Sequence, residues 1–273
     1  AVRMAVFDRH FGNRFEFFFL CRFGTLFFFG LDRCRFFFFC RFGRSGFFFG
    51  NFVFFLNRRR PTIELTEDGT PTLRHPVFGD TYHSTRGATG ESMHVYIRQG
   101  FAASGLPHVR LLEVGFGSGL NAWLTARAAF FMNRTVAYTA LEPYPVDPRT
   151  AAQLSYGADR LFMALHEAPW NVPARITERF RIRKIETSLQ DYEFDTTFDL
   201  VYFDAFAPDT QPELWTADVF RRIFDALSEG GLLVTYSAKG AVKRNLREAG
   251  FDVKRLPGAL GKRHMVRAVR PVG

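Results

Sequence analysis

The C-terminal four-fifths of this 273-residue chain contains no cysteine. Cys21, Cys34 and Cys40 all fall within the first 60 residues. Residues 61–273 can therefore carry neither a disulfide framework nor a cysteine-based metal site, and the composition suits a reducing compartment. Long apolar runs are missing too. The longest uncharged stretch of the first 60 residues, Ser45 to Asn57, has 13 residues, short of the roughly 20 that a spanning helix needs. Arginine interrupts every apolar segment that could serve as a secretory signal. Lysine is absent from residues 1–60, which hold 11 Arg against Asp8, Glu16 and Asp32.

That first segment is dominated by phenylalanine, with 21 of the chain's 35 Phe before residue 57. It also repeats: Cys21-Arg22-Phe23-Gly24 returns as Cys40-Arg41-Phe42-Gly43, each followed by a Phe-Phe-Phe-Gly run. Neither a helical nor a strand period organises it. We read residues 1–60 as a low-complexity segment, either disordered or translated from sequence outside the native coding region, and build no function on it.

The formal net charge of +9 is thus a poor guide to the body of the protein, because residues 61–273 carry 25 basic and 24 acidic residues. Within that body the charge is polarised. Residues 61–238 hold 15 basic and 22 acidic residues, whereas 239–273 hold ten basic residues and two acids. A basic C-terminal stretch on an acidic domain is the footprint of a polyanion partner, or a solvated face.

Residues 61–273 alternate strand and helix patterns. A hairpin around Asp68-Gly69 opens the domain, and a helix is expected over 91–101. Strands are expected at 109–114, 136–142, 180–185, 199–204, 231–236, 251–256 and 264–269, and helices over 120–131, 148–165, 212–227 and 242–249. Such alternation predicts an α/β fold with a mostly parallel, seven-stranded sheet covered on both faces. The last two strands are close enough to form an antiparallel hairpin, the layout of Rossmann-like class I methyltransferases.

The most informative stretch is Glu113-Val114-Gly115-Phe116-Gly117-Ser118-Gly119-Leu120-Asn121. It reads as a strand, a tight turn and a helix start open to a ligand. The glycines at 115, 117 and 119 do not fit the dinucleotide pattern, whose third glycine falls at Leu120 here. Glu113 would repel a pyrophosphate but suits a cationic sulfonium, which favours S-adenosyl-L-methionine. Glu142, ending the next strand, is positioned for vicinal ribose hydroxyls. Asp191 is a candidate for the adenine amino group, or a loop cap. Asp204 ends the fourth strand, where open α/β sheets bind ligands.

Several separate motifs then agree: Gly115 to Asn121, Asp204-Ala205-Phe206-Ala207-Pro208, Gln211-Pro212-Glu213-Leu214-Trp215-Thr216, Thr235-Tyr236-Ser237-Ala238-Lys239-Gly240 and Gly261-Lys262-Arg263. Together they resemble the MnmC-type tRNA methyltransferases, over about residues 67–270. Two departures are His83, where the family usually has Phe, and His264, where it has Glu. The resemblance implies N-methylation of the 5-aminomethyl group of wobble (2-thio)uridine in tRNA, in the cytoplasm, with S-adenosyl-L-methionine and without metal, membrane or an attached flavin-dependent half. Methyl transfer is an in-line displacement that needs a neutral amine. Asp204 is therefore expected to orient the amine and accept its proton, or else to hold the cofactor's ammonium. Phe206 and Trp215 would frame the extruded base, with core packing the alternative for Trp215. Tyr82 and Glu91 are weaker contacts. Lys239, Lys243, Arg244, Lys262 and Arg263 would hold RNA phosphates. A small-molecule methyl- or aminopropyl-transferase on the same fold is the competing reading, and it leaves the basic C-terminal stretch without a purpose.

Overall fold

The computed structural model divides into two units, Ala1–Arg59 and Arg60–Gly273. It describes residues 61–259 and 261–273 and, in the first unit, only backbone strands. Among these, Phe36–Phe42 pairs antiparallel with Phe27–Gly30 and with Gly46–Phe52, as the strand preference of phenylalanine favours. The reading of residues 1–60 as disordered or non-native otherwise lies outside the described residues.

In the second unit, β1 (Thr62–Leu65) and β2 (Pro71–Arg74) form the expected hairpin. Gly69 takes the positive φ of 77° that the turn requires. The Asp68 carboxylate accepts hydrogen bonds from the Thr66 and Thr70 hydroxyls. A loop then leads to α1 (Ala88–Ser92), whose path continues over Met93–Ala102 as a π-helix.

The central sheet comprises β3 (His108–Val114), β4 (Thr135–Leu141), β5 (Ala174–Arg175), β6 (Phe180–Ile185), β7 (Phe198–Phe203), β8 (Leu227–Thr235), β9 (Asp252–Pro257) and β10 (His264–Val269). They lie in the order β5-β6-β4-β3-β7-β8-β10-β9. β6, β4, β3, β7 and β8 run parallel. β10 inserts antiparallel between β8 and β9. The two-residue β5 adds an eighth strand to the seven expected. It is too short to leave a period in the sequence.

The sheet is buried on both faces, which is why its strands read as nearly continuous apolar runs. Val109 and Leu111 of β3 face one core with Tyr138, Leu200 and Tyr202, roofed by the π-helix, α2 (Leu120–Phe131) and α4 (Arg160–Glu167). Leu112 and Val114 face the other core with Val201, Phe203 and Leu233, covered by α5 (Ala217–Ala226) and α6 (Gly240–Glu248).

Two helices are shorter than their sequence patterns. The expected 148–165 helix breaks into α3 (Pro148–Ala151), a 3₁₀ turn over Ser155–Ala158, and α4. The Asp159 carboxylate caps the Leu161 and Phe162 amides and so starts a new helix there. Likewise Pro212–Leu214 is a separate 3₁₀ turn, and the Thr216 hydroxyl caps α5 by accepting from the Val219 amide.

The second core rests on an aromatic stack in which the fully buried Phe220 meets Phe203 at 5.1 Å and Trp215 at 6.4 Å between ring centres. Phe220→Ala is expected to cost about 3–5 kcal/mol of stability by chemical denaturation. Phe131→Ser, at a side chain 76% exposed, should stay within about 0.5 kcal/mol.

Candidate active site

The carboxyl ends of the parallel strands converge on a cavity of about 370 Å³, the size of a small-molecule site. The turn after β3 supplies Gly115, Phe116, Gly117 and Ser118. Glu142 and Pro143 follow β4, Thr187 to Gln190 follow β6, and Asp204 to Ala207 follow β7. Across from them stand Phe78 to Ser84, Glu91, Tyr96, Tyr236 and Lys262.

At Gly115 the backbone has φ 92°, and an added Cβ would lie 2.7 Å from the Asp204 carbonyl oxygen. The amide of Asp204 donates to the Val114 carbonyl at 3.0 Å. The β3–β7 pairing thus runs one step past the strands and sets the Asp204 backbone against the glycine turn. At Gly117 a Cβ would lie 2.7 Å from the Tyr82 ring. Gly119 does not line the cavity. A Cβ there would strike His166 and Phe116, so this glycine lets His166 of α4 pack closely against the turn.

Two histidines hold the turn. His166 Nε2 donates to the Ser118 carbonyl at 2.9 Å, and His83 Nε2 meets the Ser118 hydroxyl at 3.3 Å while its Nδ1 meets Thr72 at 3.1 Å. Burial depresses both rings to about 4, so both are neutral at pH 7. His83, the departure from the family pattern, therefore ties β2 to the cofactor turn.

Asp204 is held in the cavity by two side chains. Its Oδ1 accepts from the Tyr96 hydroxyl at 2.5 Å and its Oδ2 from the Asn121 side-chain amide at 2.7 Å. Burial pushes its carboxyl up to about 7 against those two hydrogen bonds, and the nearby Glu91 charge adds to the rise. Neither partner was singled out from sequence. Asn121 stands in the Gly-Leu-Asn end of the glycine motif, a signal that was available. Tyr96 has no local signal, because only the π-helix brings it to a strand end 108 residues away.

Glu142 accepts from the Gly117 amide at 2.8 Å and from the Tyr144 amide at 2.8 Å. It is thereby fixed at the cavity wall, and burial raises its carboxyl.

Several expected residues stand elsewhere. Glu113 is fully buried and outside the cavity, because strand alternation turns it into the face under α2. There it accepts from Asn121 at 3.0 Å, and its second oxygen has no hydrogen-bond partner among the described residues. Burial, and then the charge of Asp204, hold its carboxyl well above the usual range. Asp191 does not line the cavity and closes its own turn, accepting from the Ser188 hydroxyl at 2.7 Å. Trp215 is 3% exposed, packs on Phe203, Phe220 and Tyr236, and donates to the Phe206 carbonyl at 2.9 Å. It is a core residue that anchors the loop after β7. Phe206 does line the cavity, in an aromatic group with His75, Phe78 and Tyr82 at 5.3, 5.0 and 5.2 Å.

Of the basic residues, Lys262 reaches into the cavity and pairs with Glu91, which the expected phosphate role did not anticipate. Lys239 pairs with Asp209 on the surface. Lys243 is half-buried on α6, while Arg244 and Arg263 are exposed. Lys243, Arg263 and Arg255 all add to the depression of His264 that desolvation begins, so these cations gather on one face beside the β9–β10 turn.

The donor set fits a cationic adenosyl cofactor. Asp80, Glu91, Glu142, Asp204 and Glu213 line the cavity against one lysine and no arginine, a charge balance that repels phosphates and attracts a sulfonium. Among the described residues, no helix is long and apolar enough to cross a membrane.

Comparison with known proteins agrees. Residues 171–271 match the family described as S-adenosyl-L-methionine-dependent methyltransferase. The tRNA 5-methylaminomethyl-2-thiouridine biosynthesis bifunctional protein MnmC of Ralstonia nicotianae is 32% identical over 234 residues, covering 77% of this chain and 34% of that protein. The MnmC protein of Burkholderia multivorans is 32% identical over 232 residues, covering 75% and 34%. The chain thus spans about a third of the length of these relatives. The crystal structure of MNMC2 from Aquifex aeolicus superposes with a TM-score of 0.65 at 25% identity, covering 78% of this chain and 71% of that one. The glycine turn, the acidic cavity and these matches converge: the chain carries an S-adenosyl-L-methionine-dependent methyltransferase domain and is similar to part of the MnmC proteins.

Proposed function

We propose that this chain methylates the aminomethyl nitrogen of a modified wobble uridine in tRNA. The observation that carries the reading is Asp204: an enclosed carboxylate at a strand end, aimed by Tyr96 and Asn121, in a cavity beside a cluster of exposed cations. The names of the MnmC relatives, which refer to 5-methylaminomethyl-2-thiouridine in tRNA, support the choice of substrate. A reaction on tRNA also implies a cytoplasmic setting.

Glu142, the Gly115 to Gly117 backbone and the Thr187 to Gln190 loop would hold the ribose and adenine of the cofactor. When bound, S-adenosyl-L-methionine supplies an electrophilic methyl carbon on a sulfonium sulfur. An aliphatic amine reaches the site as an ammonium, since its pKa lies near a lysine-like ~10.4, and it must lose a proton to attack. Asp204 accepts it: one N–H bond breaks, one O–H bond forms, and the electron pair stays on nitrogen. A carboxyl that titrates at about 7 is matched to this task near neutral pH. Its hydrogen bonds to Tyr96 and Asn121 fix the direction from which the proton arrives. Phe206, Phe78 and Tyr82 offer ring faces to a base turned out of its stack. Lys243, Arg244, Arg255 and Arg263 would hold the backbone phosphates.

The acid branch of the kcat/KM profile should fall below about pH 7, because the protonated Asp204 cannot accept. Asp204→Asn should remove that branch and lower kcat by roughly 10²–10⁴-fold, with S-adenosyl-L-methionine still bound in calorimetry. A kcat/KM flat from pH 5 to 8 would refute the assignment.

RNA affinity should fall steeply with salt, and Lys243→Ala or Arg263→Ala should each reduce the slope of log K against log salt by about 1. Methyl transfer from labelled S-adenosyl-L-methionine to tRNA carrying 5-aminomethyluridine, with mass analysis of the nucleosides, tests the function itself. No 5-methylaminomethyluridine formed would sink it.

A further inference from the structure

The cavity already contains an aliphatic ammonium, contributed by the chain itself. Lys262 lies in the turn between β9 and β10, and its Nζ pairs with Glu91 Oε1. The same nitrogen stands 5.0 Å from the centre of the Tyr236 ring. Glu91 is 7% exposed, and its other oxygen accepts from the Ser84 amide at 3.2 Å. The Tyr236 hydroxyl donates to the Ala205 carbonyl at 3.0 Å, which fixes that ring at the end of the loop carrying Asp204. A buried carboxylate beside a fixed aromatic face is how proteins recognise an alkylammonium.

The arrangement can exchange its occupant. The turn backbone is tight: the Lys262 amide donates to the Ala259 carbonyl at 2.9 Å, and a Cβ on Gly258 would lie 2.3 Å from the Lys262 carbonyl oxygen. Any departure of Nζ therefore falls to the four-carbon side chain, which is 34% exposed and borders solvent. Leaving Glu91, the lysine comes out on the face that already holds Arg263 and Lys243.

We propose that Glu91 and Tyr236 form a subsite for an aliphatic ammonium, which Lys262 fills in the free enzyme and the ammonium of the acceptor takes over. This rests on the methylation of an aminomethyl group proposed above and deepens it. Exchange of one ammonium for another leaves the charge of the cavity unchanged, so a charged acceptor enters at little electrostatic cost. A neutral analogue that evicted the lysine would strand the buried Glu91 without a counter-charge. The pair is thus a device for selecting aminomethyl over hydroxymethyl groups. It delivers the selected ammonium beside Asp204, and the displaced Lys262 joins the cations that face RNA phosphates.

Calorimetry on the full chain saturated with S-adenosyl-L-homocysteine, with 5-aminomethyluridine and 5-hydroxymethyluridine as probes, tests the exchange. Lys262→Met removes the competing occupant and should tighten 5-aminomethyluridine on the order of tenfold, with 5-hydroxymethyluridine unchanged. Glu91→Gln should weaken 5-aminomethyluridine on the order of tenfold while leaving the hydroxymethyl probe within twofold. Lys262→Arg keeps a cation in place and should not tighten the amine. Unchanged S-adenosyl-L-homocysteine affinity certifies that each variant is folded. Weaker or unaltered amine binding in Lys262→Met, or equal shifts for both probes, would overturn the proposal. The two readings separate cleanly: charge-selective binding by a wild-type protein that cannot methylate tRNA keeps the subsite and removes the proposed function. Methylation of tRNA with charge-indifferent probe binding does the reverse.

Discussion

The structure depends on holding one carboxylate, that of Asp204, at the closed end of a cavity without a cation bonded to it. Such a group is costly to enclose unless its oxygens are satisfied. Here one oxygen takes the Tyr96 hydroxyl and the other the Asn121 amide. Two hydrogen bonds to a charged acceptor, worth roughly 1.5–3 kcal/mol each, oppose the desolvation but do not cancel it, and the carboxyl remains at about 7. A full salt bridge would have pulled it far lower and made it a poor proton acceptor at neutral pH.

Much of the surrounding architecture serves this compromise. Tyr96 reaches Asp204 because Ala88–Ser92 continues into a π-helix, a winding often found where a helix must re-aim a side chain. Asn121 donates to Asp204 and Glu113 alike, so one amide ties two carboxyls. Burial raises both carboxyls; the charge of Asp204 adds to the rise at Glu113, and that of Glu91 to the rise at Asp204. Gly115 completes the arrangement, since any side chain there would drive the Asp204 backbone away.

The parts of this that were legible in the sequence are those written in local patterns. The glycine turn, the α2 boundaries, the parallel strands and the placement of Glu142 and Asp204 at strand ends follow from periodicity and from where apolar runs stop. The errors share a different cause. Glu113 has the right sequence distance from the turn, but a two-residue period turns it to the wrong face. For Trp215 and Asp191, which sit beside cavity residues in sequence, the alternative readings hold, core packing and a loop cap, because each is consumed by a local partner, the Phe206 carbonyl and the Ser188 hydroxyl. Charge alone groups Lys262 with its neighbours, yet a single turn sends it inward and leaves Arg263 exposed. The Tyr96–Asp204 and Lys262–Glu91 contacts span 108 and 171 residues. No single-sequence pattern encodes distances of that kind.

The same long-range contacts would let one small domain serve the proposed substrate, which carries two charges. An RNA acceptor with an aminomethyl base is anionic along its backbone and cationic at the reacting group. A uniformly basic protein would attract the backbone and repel the amine and the sulfonium alike. Here the signs are sorted by depth: cations stand on α6 and the β9–β10 turn, and the carboxylates of Glu91, Glu142 and Asp204 line the interior. The fold imposes that sorting: the carboxyl ends of β4 and β7 deliver Glu142 and Asp204 inward and α1 delivers Glu91, while α6 and the hairpin at the sheet edge carry the bases. Lys262, on the boundary, is the lysine that lines the cavity among the described residues, and the proposed exchange would carry it from one side to the other. The overall net charge, inflated by the arginines of the first 60 residues, conceals this arrangement entirely.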